Sequence, residues 1–151
     1  MPNEGNRPAP PGDYVLDSYA LLAFFEDETG SKRVSDLLEA ATNGNCRLYL
    51  CIINLGEILY IIERERGLSK AQETLARIDE FPIEIVDADR NLTLAAAHLK
   101  SDCPVAYADC FAAALTMLKE AALVTGDIEF KKIQQSHHIQ IEWLPPIIAK
   151  S

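Results

Sequence analysis

Short apolar runs alternate along this chain with longer stretches in which apolar positions recur every three or four residues. YVL (14–16), RLYLCII (47–53), PIEIVD (82–87), ALVT (122–125) and IQIEWL (139–144) are brief, apolar and mostly rich in β-branched or aromatic residues. Such runs predict strands. RLYLCII is nearly continuous, as expected of a strand buried on both faces. The periodic stretches predict helices. The first runs through YALLAFFED with Ser18 as its cap and ends by Gly30, and the second is SKRVSDLLEAATNGN, with Val34, Leu37, Leu38 and Ala41 on one face. A third spans 55–66 on a stripe of Leu55, Ile58, Leu59 and Ile62, and a fourth is LSKAQETLARIDEF (68–81). ADRNLTLAAAHLK (88–100), the Ala-rich VAYADCFAAALTMLKEA (105–121) and EFKKIQQ (129–135) complete the set. Strands alternating with helices predict an α/β fold with a mainly parallel sheet.

Parallel α/β sheets bind ligands beyond the carboxyl ends of their strands. Acids stand at several of those ends. Asp17 follows YVL, Glu57 follows RLYLCII, Asp127 follows ALVT, and Asp109 lies near the start of the Ala-rich helix. Each has an ordinary reading. Asp17 suits a turn or cap. Glu57 stands three residues after Asn54, as in a capping box. Asp109 suits the positive end of a helix dipole, and Asp127 follows Gly126 as a turn aspartate would. Together they read differently. Anions gathered in a small volume raise one another's pKa unless a cation binds, and clustered carboxylates suit a hard ion such as Mg2+ or Mn2+.

Composition narrows the class. With 151 residues, 48% of them hydrophobic, the chain can bury the core of one domain. Residues 1–12, polar and rich in Pro and Gly, read as a disordered tail ahead of a single domain at 13–151. They lack the basic and apolar segments of a secretory signal, and no apolar run reaches the roughly 18–20 residues that cross a bilayer. A cytoplasmic protein is expected. Cys46, Cys51, Cys103 and Cys110 show no C-x-x-C spacing and read as free thiols. A formal net charge of −9 argues against tight, sequence-independent nucleic-acid binding, but permits contact with phosphates through bound cations and leaves room for a basic protein partner. Arg64, Arg66, Lys70, Lys131 and Lys132 form at most a sparse basic rim. His98, His137 and His138 fall at no zinc-motif spacing and read as surface residues. Phosphate-loop, dinucleotide and nucleophile-elbow motifs are absent. Tyr19, Phe24, Phe25, Leu59, Tyr60 and Ile62 could line a partner groove, with core packing the expected role of most.

YVLDSYALLAFFEDE, INLGEILY, YADCFAAAL and LVTGDIEF each carry one of the four acids. In these motifs and their order the chain resembles the PIN-domain ribonucleases, and most of all the VapC-type toxins of toxin–antitoxin pairs, over roughly residues 13–144. The resemblance implies a three-layer α/β/α sandwich with about five strands and a Mg2+- or Mn2+-dependent endoribonuclease. It implies Asp17 and Asp109 as direct metal ligands and Asp127 as the acid that completes the cluster. Glu57 would orient the attacking water or hold a second ion, with Ser18 and Thr125 as supporting hydroxyls. It further implies a homodimer and an antitoxin with a basic, often Arg-bearing tail. The chain departs from the pattern at Ala106, where many relatives carry Ser. Two other readings stay open: a non-cleaving module of this fold that binds RNA or protein, and a housekeeping RNA-processing nuclease. A CheY-like receiver would need an acid pair after its first strand and a Lys after its fifth, yet Asp17 stands alone and the last strand ends in Trp143-Leu144-Pro145.

Overall fold

The computed structural model describes residues 12–145. The tail expected at 1–12 lies, except for Gly12, outside the described residues, as do 146–151. Five strands form one sheet: β1 (Asp13–Leu16), β2 (Arg47–Cys51), β3 (Ile83–Val86), β4 (Ala122–Thr125) and β5 (Gln140–Trp143). All neighbours run parallel, in the order β3-β2-β1-β4-β5. Seven helices connect them: α1 (Ser18–Phe25), α2 (Ser31–Thr42), α3 (Ile52–Arg66), α4 (Leu68–Glu80), α5 (Arg90–Asp102), α6 (Tyr107–Leu118) and α7 (Phe130–Gln134).

Strand alternation builds two cores. Val15, Tyr49, Cys51 and Leu123 face α5, α6 and α7, where they meet Leu92, Leu99, Phe111, Leu115, Phe130 and Ile133. Leu16, Leu48, Leu50 and Val124 face the other way, onto Leu21, Val34, Leu37, Ile58, Ile62 and Ile78 of the first four helices. The result is the expected three-layer α/β/α sandwich. Full burial of a side chain such as Leu16 or Leu50 contributes about 1.5–3 kcal/mol.

Several boundaries shift. The strand expected over 47–53 stops at Cys51, and α3 starts at Ile52 rather than Leu55. Ile52 and Ile53 are exposed first-turn residues, whose apolar character alone does not distinguish strand from helix. Ser18 does not cap α1. Asp17 does, with Oδ1 accepting the Ala20 N–H at 2.9 Å. Asn54 is no cap either: it is buried inside α3, where its Nδ2 donates to the Ala108 carbonyl at 3.2 Å. Of the apolar groove candidates, Ile62 is buried and Tyr60 exposed, while Phe24 and Phe25 pack on Phe81.

Candidate functional site

The strand order reverses at β1. The chain moves from β1 outward to β2 and β3, then returns to add β4 and β5 on the other side. Crevices at such switch points are where open α/β sheets hold ligands. β1 and β4 pair through Leu16 and Val124, which sets Asp17, the first residue beyond β1, beside Thr125 at the end of β4. Thr125 Oγ1 donates to Asp17 Oδ2 at 2.5 Å and accepts the Asp127 N–H at 3.0 Å. The same hydroxyl therefore fixes both acids. Asp127 Oδ1 in turn accepts the Glu129 N–H at 3.0 Å, a local turn that leads into α7.

Helices bring the other two acids to the same edge. Asp109 sits in the first turn of α6, its N–H bonded to the Ala106 carbonyl at 3.0 Å. Ala106 occupies the N-cap position and offers no side-chain acceptor. Glu57 lies in the second turn of α3 rather than at its start, and its Oε1 accepts the Ser18 hydroxyl. The Asn54–Ala108 bond ties the starts of α3 and α6 together and so holds the helices that bear Glu57 and Asp109. Asn54 Oδ1 is buried and has no hydrogen-bond partner.

The charges act on one another. Burial pushes the Asp17 carboxyl up to about 7 against the pull of the Thr125 and Ala20 hydrogen bonds, and Asp109 and Asp127 push the same way. Asp109 also rises to about 7, first through burial, then through Asp127, Glu57 and Glu129. Among the described residues, no salt bridge engages Asp17, Glu57, Asp109 or Asp127. The nearby lysine Lys132 pairs with Glu129 at 2.7 Å, Arg66 pairs with Glu26, and Lys131 sits over the Trp143 ring. Hard oxygen donors that lack a counter-charge fit a hard divalent cation. No three of these four acids have oxygens all within 4.8 Å of one another; among the described residues, the trio of potential ligands that meets that spacing is Asp102, Cys103 and His137.

The site has members that sequence reasoning passed over. Glu129 adds a fifth acid beside Asp109, two residues after Asp127 in the same turn. The Tyr19 ring packs against Gly126: a Cβ there would stand 2.3 Å from Tyr19 Cε1. Glycine in the T-G-D sequence leaves room for this ring from α1, which any larger residue would have to displace. His137, expected at the surface, is half-buried, with Nε2 at 3.1 and 3.2 Å from the two oxygens of Asp102. All four cysteines are free, as expected.

The PIN domain family matches residues 14–135 of this sequence. Among curated proteins none matches. Solved structures share the fold. VapBC2 from Rickettsia felis, solved bound to a DNA fragment from its promoter, superposes with a TM-score of 0.69 at 21% identity, covering 88% of this chain and 99% of that one. VapBC-1 from nontypeable Haemophilus influenzae gives 0.66 at 18%, covering 87% and 97%. VapC20 from Mycobacterium tuberculosis, described as a toxin that cleaves the sarcin–ricin loop, gives 0.63 at 13%, covering 78% and 92%.

Proposed function

Because the chain belongs to the PIN-domain family, we propose that it is a metal-dependent endoribonuclease and the toxin of a VapBC-type toxin–antitoxin pair. The observation that carries this reading is the mutual electrostatic influence of Asp17, Asp109, Asp127 and Glu57 near the switch point of the sheet, with Asp17 and Asp109 raised to about 7, first by burial and then by neighbouring acids. Asp17, Asp109 and Asp127 would hold Mg2+ or Mn2+. When bound, the ion supplies positive charge that offsets the charge growing on a phosphodiester and makes nearby water more acidic.

The chain's own residues do the positioning. Thr125 holds Asp17 through Oδ2 and leaves its carboxylate in one orientation. Ser18 holds Glu57, whose role in this reading is to orient the attacking water for in-line approach to phosphorus. Asp127, anchored by the Thr125 hydroxyl and the Glu129 N–H, completes the negative wall. An antitoxin would present a basic tail to that wall. A net charge of −9 supports such a partner, as do the toxin–antitoxin complexes among the structures that share this fold. We further infer a homodimer acting in the cytoplasm. Among the described residues no helix is long and apolar enough to cross a membrane.

The test is direct. Purified chain is expected to cut RNA with Mg2+ or Mn2+ and to stop with EDTA. Asp17→Asn and Asp109→Asn are each expected to remove cleavage while the circular dichroism of the fold is kept. RNA that is bound but never cut would favour the non-cleaving module instead.

A further inference from the structure

A second cluster of ligating side chains sits apart from the four acids in sequence, where the end of α5 meets the link from α7 to β5. We propose that Asp102, Cys103 and His137, with His98 in the fourth position, form a structural zinc site. The donor atoms of the first three already lie within 4.8 Å of one another. Cys103 Sγ is 3.3 Å from Asp102 Oδ1, and His137 Nε2 is 3.1 Å from that same oxygen. Ligands of a tetrahedral zinc ion at about 2.0–2.3 Å stand about 3.3–3.6 Å apart. Two of the trio's three separations therefore already lie close to that spacing.

Donor type points to zinc rather than to a hard cation. Thiolate and imidazole are borderline or soft ligands, unlike the all-carboxylate set at the switch point. The backbone holds the key donors in place. The Cys103 N–H bonds to the Leu99 carbonyl at 3.0 Å, and the His137 N–H to the Ile133 carbonyl at 2.9 Å. His98 and Asp102 are four residues apart on α5, hence on one helix face. The His98 ring lies 6.4 Å from that of His137, which makes this exposed side chain the nearest candidate for the fourth position. Cys103 is not placed for nucleophilic work: it is 2% exposed, and burial together with Asp102 raises its thiol. Zinc binding would displace the thiol proton to solvent.

The ion would clamp two segments that lead to the acids. From Cys103 the chain runs through Ala106 into α6 and Asp109; His137 follows α7, which opens just after Asp127 and Glu129. The proposal does not depend on the nuclease reading. Its test is a titration of the full metal-free chain with Zn2+ against a chromophoric chelator, and with Co2+ followed by absorption. One tight equivalent should bind, with a thiolate-to-cobalt charge-transfer band, apart from any weaker binding at the four acids. Cys103→Ser should remove that band, and Cys103→Ser and His137→Gln should each weaken zinc by roughly tenfold or more. Asp17→Asn and Asp109→Asn should leave it unchanged. Should Cys103→Ser fail to fold, His137→Gln and His98→Gln, at less buried positions, carry the test. Absent zinc binding, binding without the thiolate band, binding indifferent to His137→Gln, or binding lost with Asp109→Asn would each overturn the site.

Discussion

Thr125 Oγ1 stands 2.5 Å from Asp17 Oδ2, a contact between the last residue of β4 and the first residue beyond β1. It is the shared hydroxyl of the acidic edge, since the Asp127 N–H donates to the same oxygen. Thr125→Val keeps the shape and removes the hydroxyl. It leaves a buried carboxyl oxygen and a backbone N–H without that partner, which is expected to cost about 1–3 kcal/mol of stability. Urea denaturation measures it. Thr125→Ser should recover most of the loss. Equal stability of the Val variant would show that the hydroxyl does not support the two acids.

Asp17 has a consequence for pH. An acid whose folded pKa is raised binds its proton more tightly folded than unfolded, so stability falls as pH rises from about 4 through about 7. For Asp17 the full effect is on the order of a few kcal/mol. In EDTA, the melting temperature of the wild type should decline across this window more than that of Asp17→Asn. At about pH 8 the variant should be the more stable of the two. Saturating Mg2+ should shrink the difference. A variant that melts in parallel with the wild type at every pH would contradict the buried, uncompensated carboxyl.

Gly126→Ala is expected to destabilise by about 1–3 kcal/mol, because the new methyl meets the Tyr19 ring at 2.3 Å. Tyr19→Ala clears that space. In a double-mutant cycle the two changes should couple strongly, with the penalty of Gly126→Ala largely gone once the ring is removed. Additive effects would mean that the ring is not the obstacle.

At Ala106 the N-cap of α6 has no side-chain acceptor. Ala106→Ser should supply one and stabilise the chain by about 1 kcal/mol. Thermal or chemical denaturation reports the gain. A neutral or negative change would mean that the serine hydroxyl turns away from the free N–H groups of the first turn.

The layered α/β architecture was legible because each central strand is buried on both faces and so appears as a continuous apolar run; β2, with Leu48 to Cys51 buried, is the clearest case. The end of that run was not, since Ile52 and Ile53 are apolar yet exposed on α3. The four acids were conspicuous as lone charges at element junctions. Which local partner each would take was not: Ser18 turns to Glu57 across 39 residues, leaving the cap of α1 to Asp17. Glu129 was hidden by its place in an ordinary polar helix start. The contact of His137 with Asp102 spans 35 residues and follows no spacing rule that a linear reading could apply.

The sheet order carries a temporal consequence. β1 is central, but its β4 neighbour is synthesised more than a hundred residues later. While the ribosome is still short of residue 122, Asp17 has neither its threonine nor Asp127 beside it. An acidic edge built this way stays incomplete throughout most of elongation and closes only once β4 and Asp127 have emerged to meet Asp17.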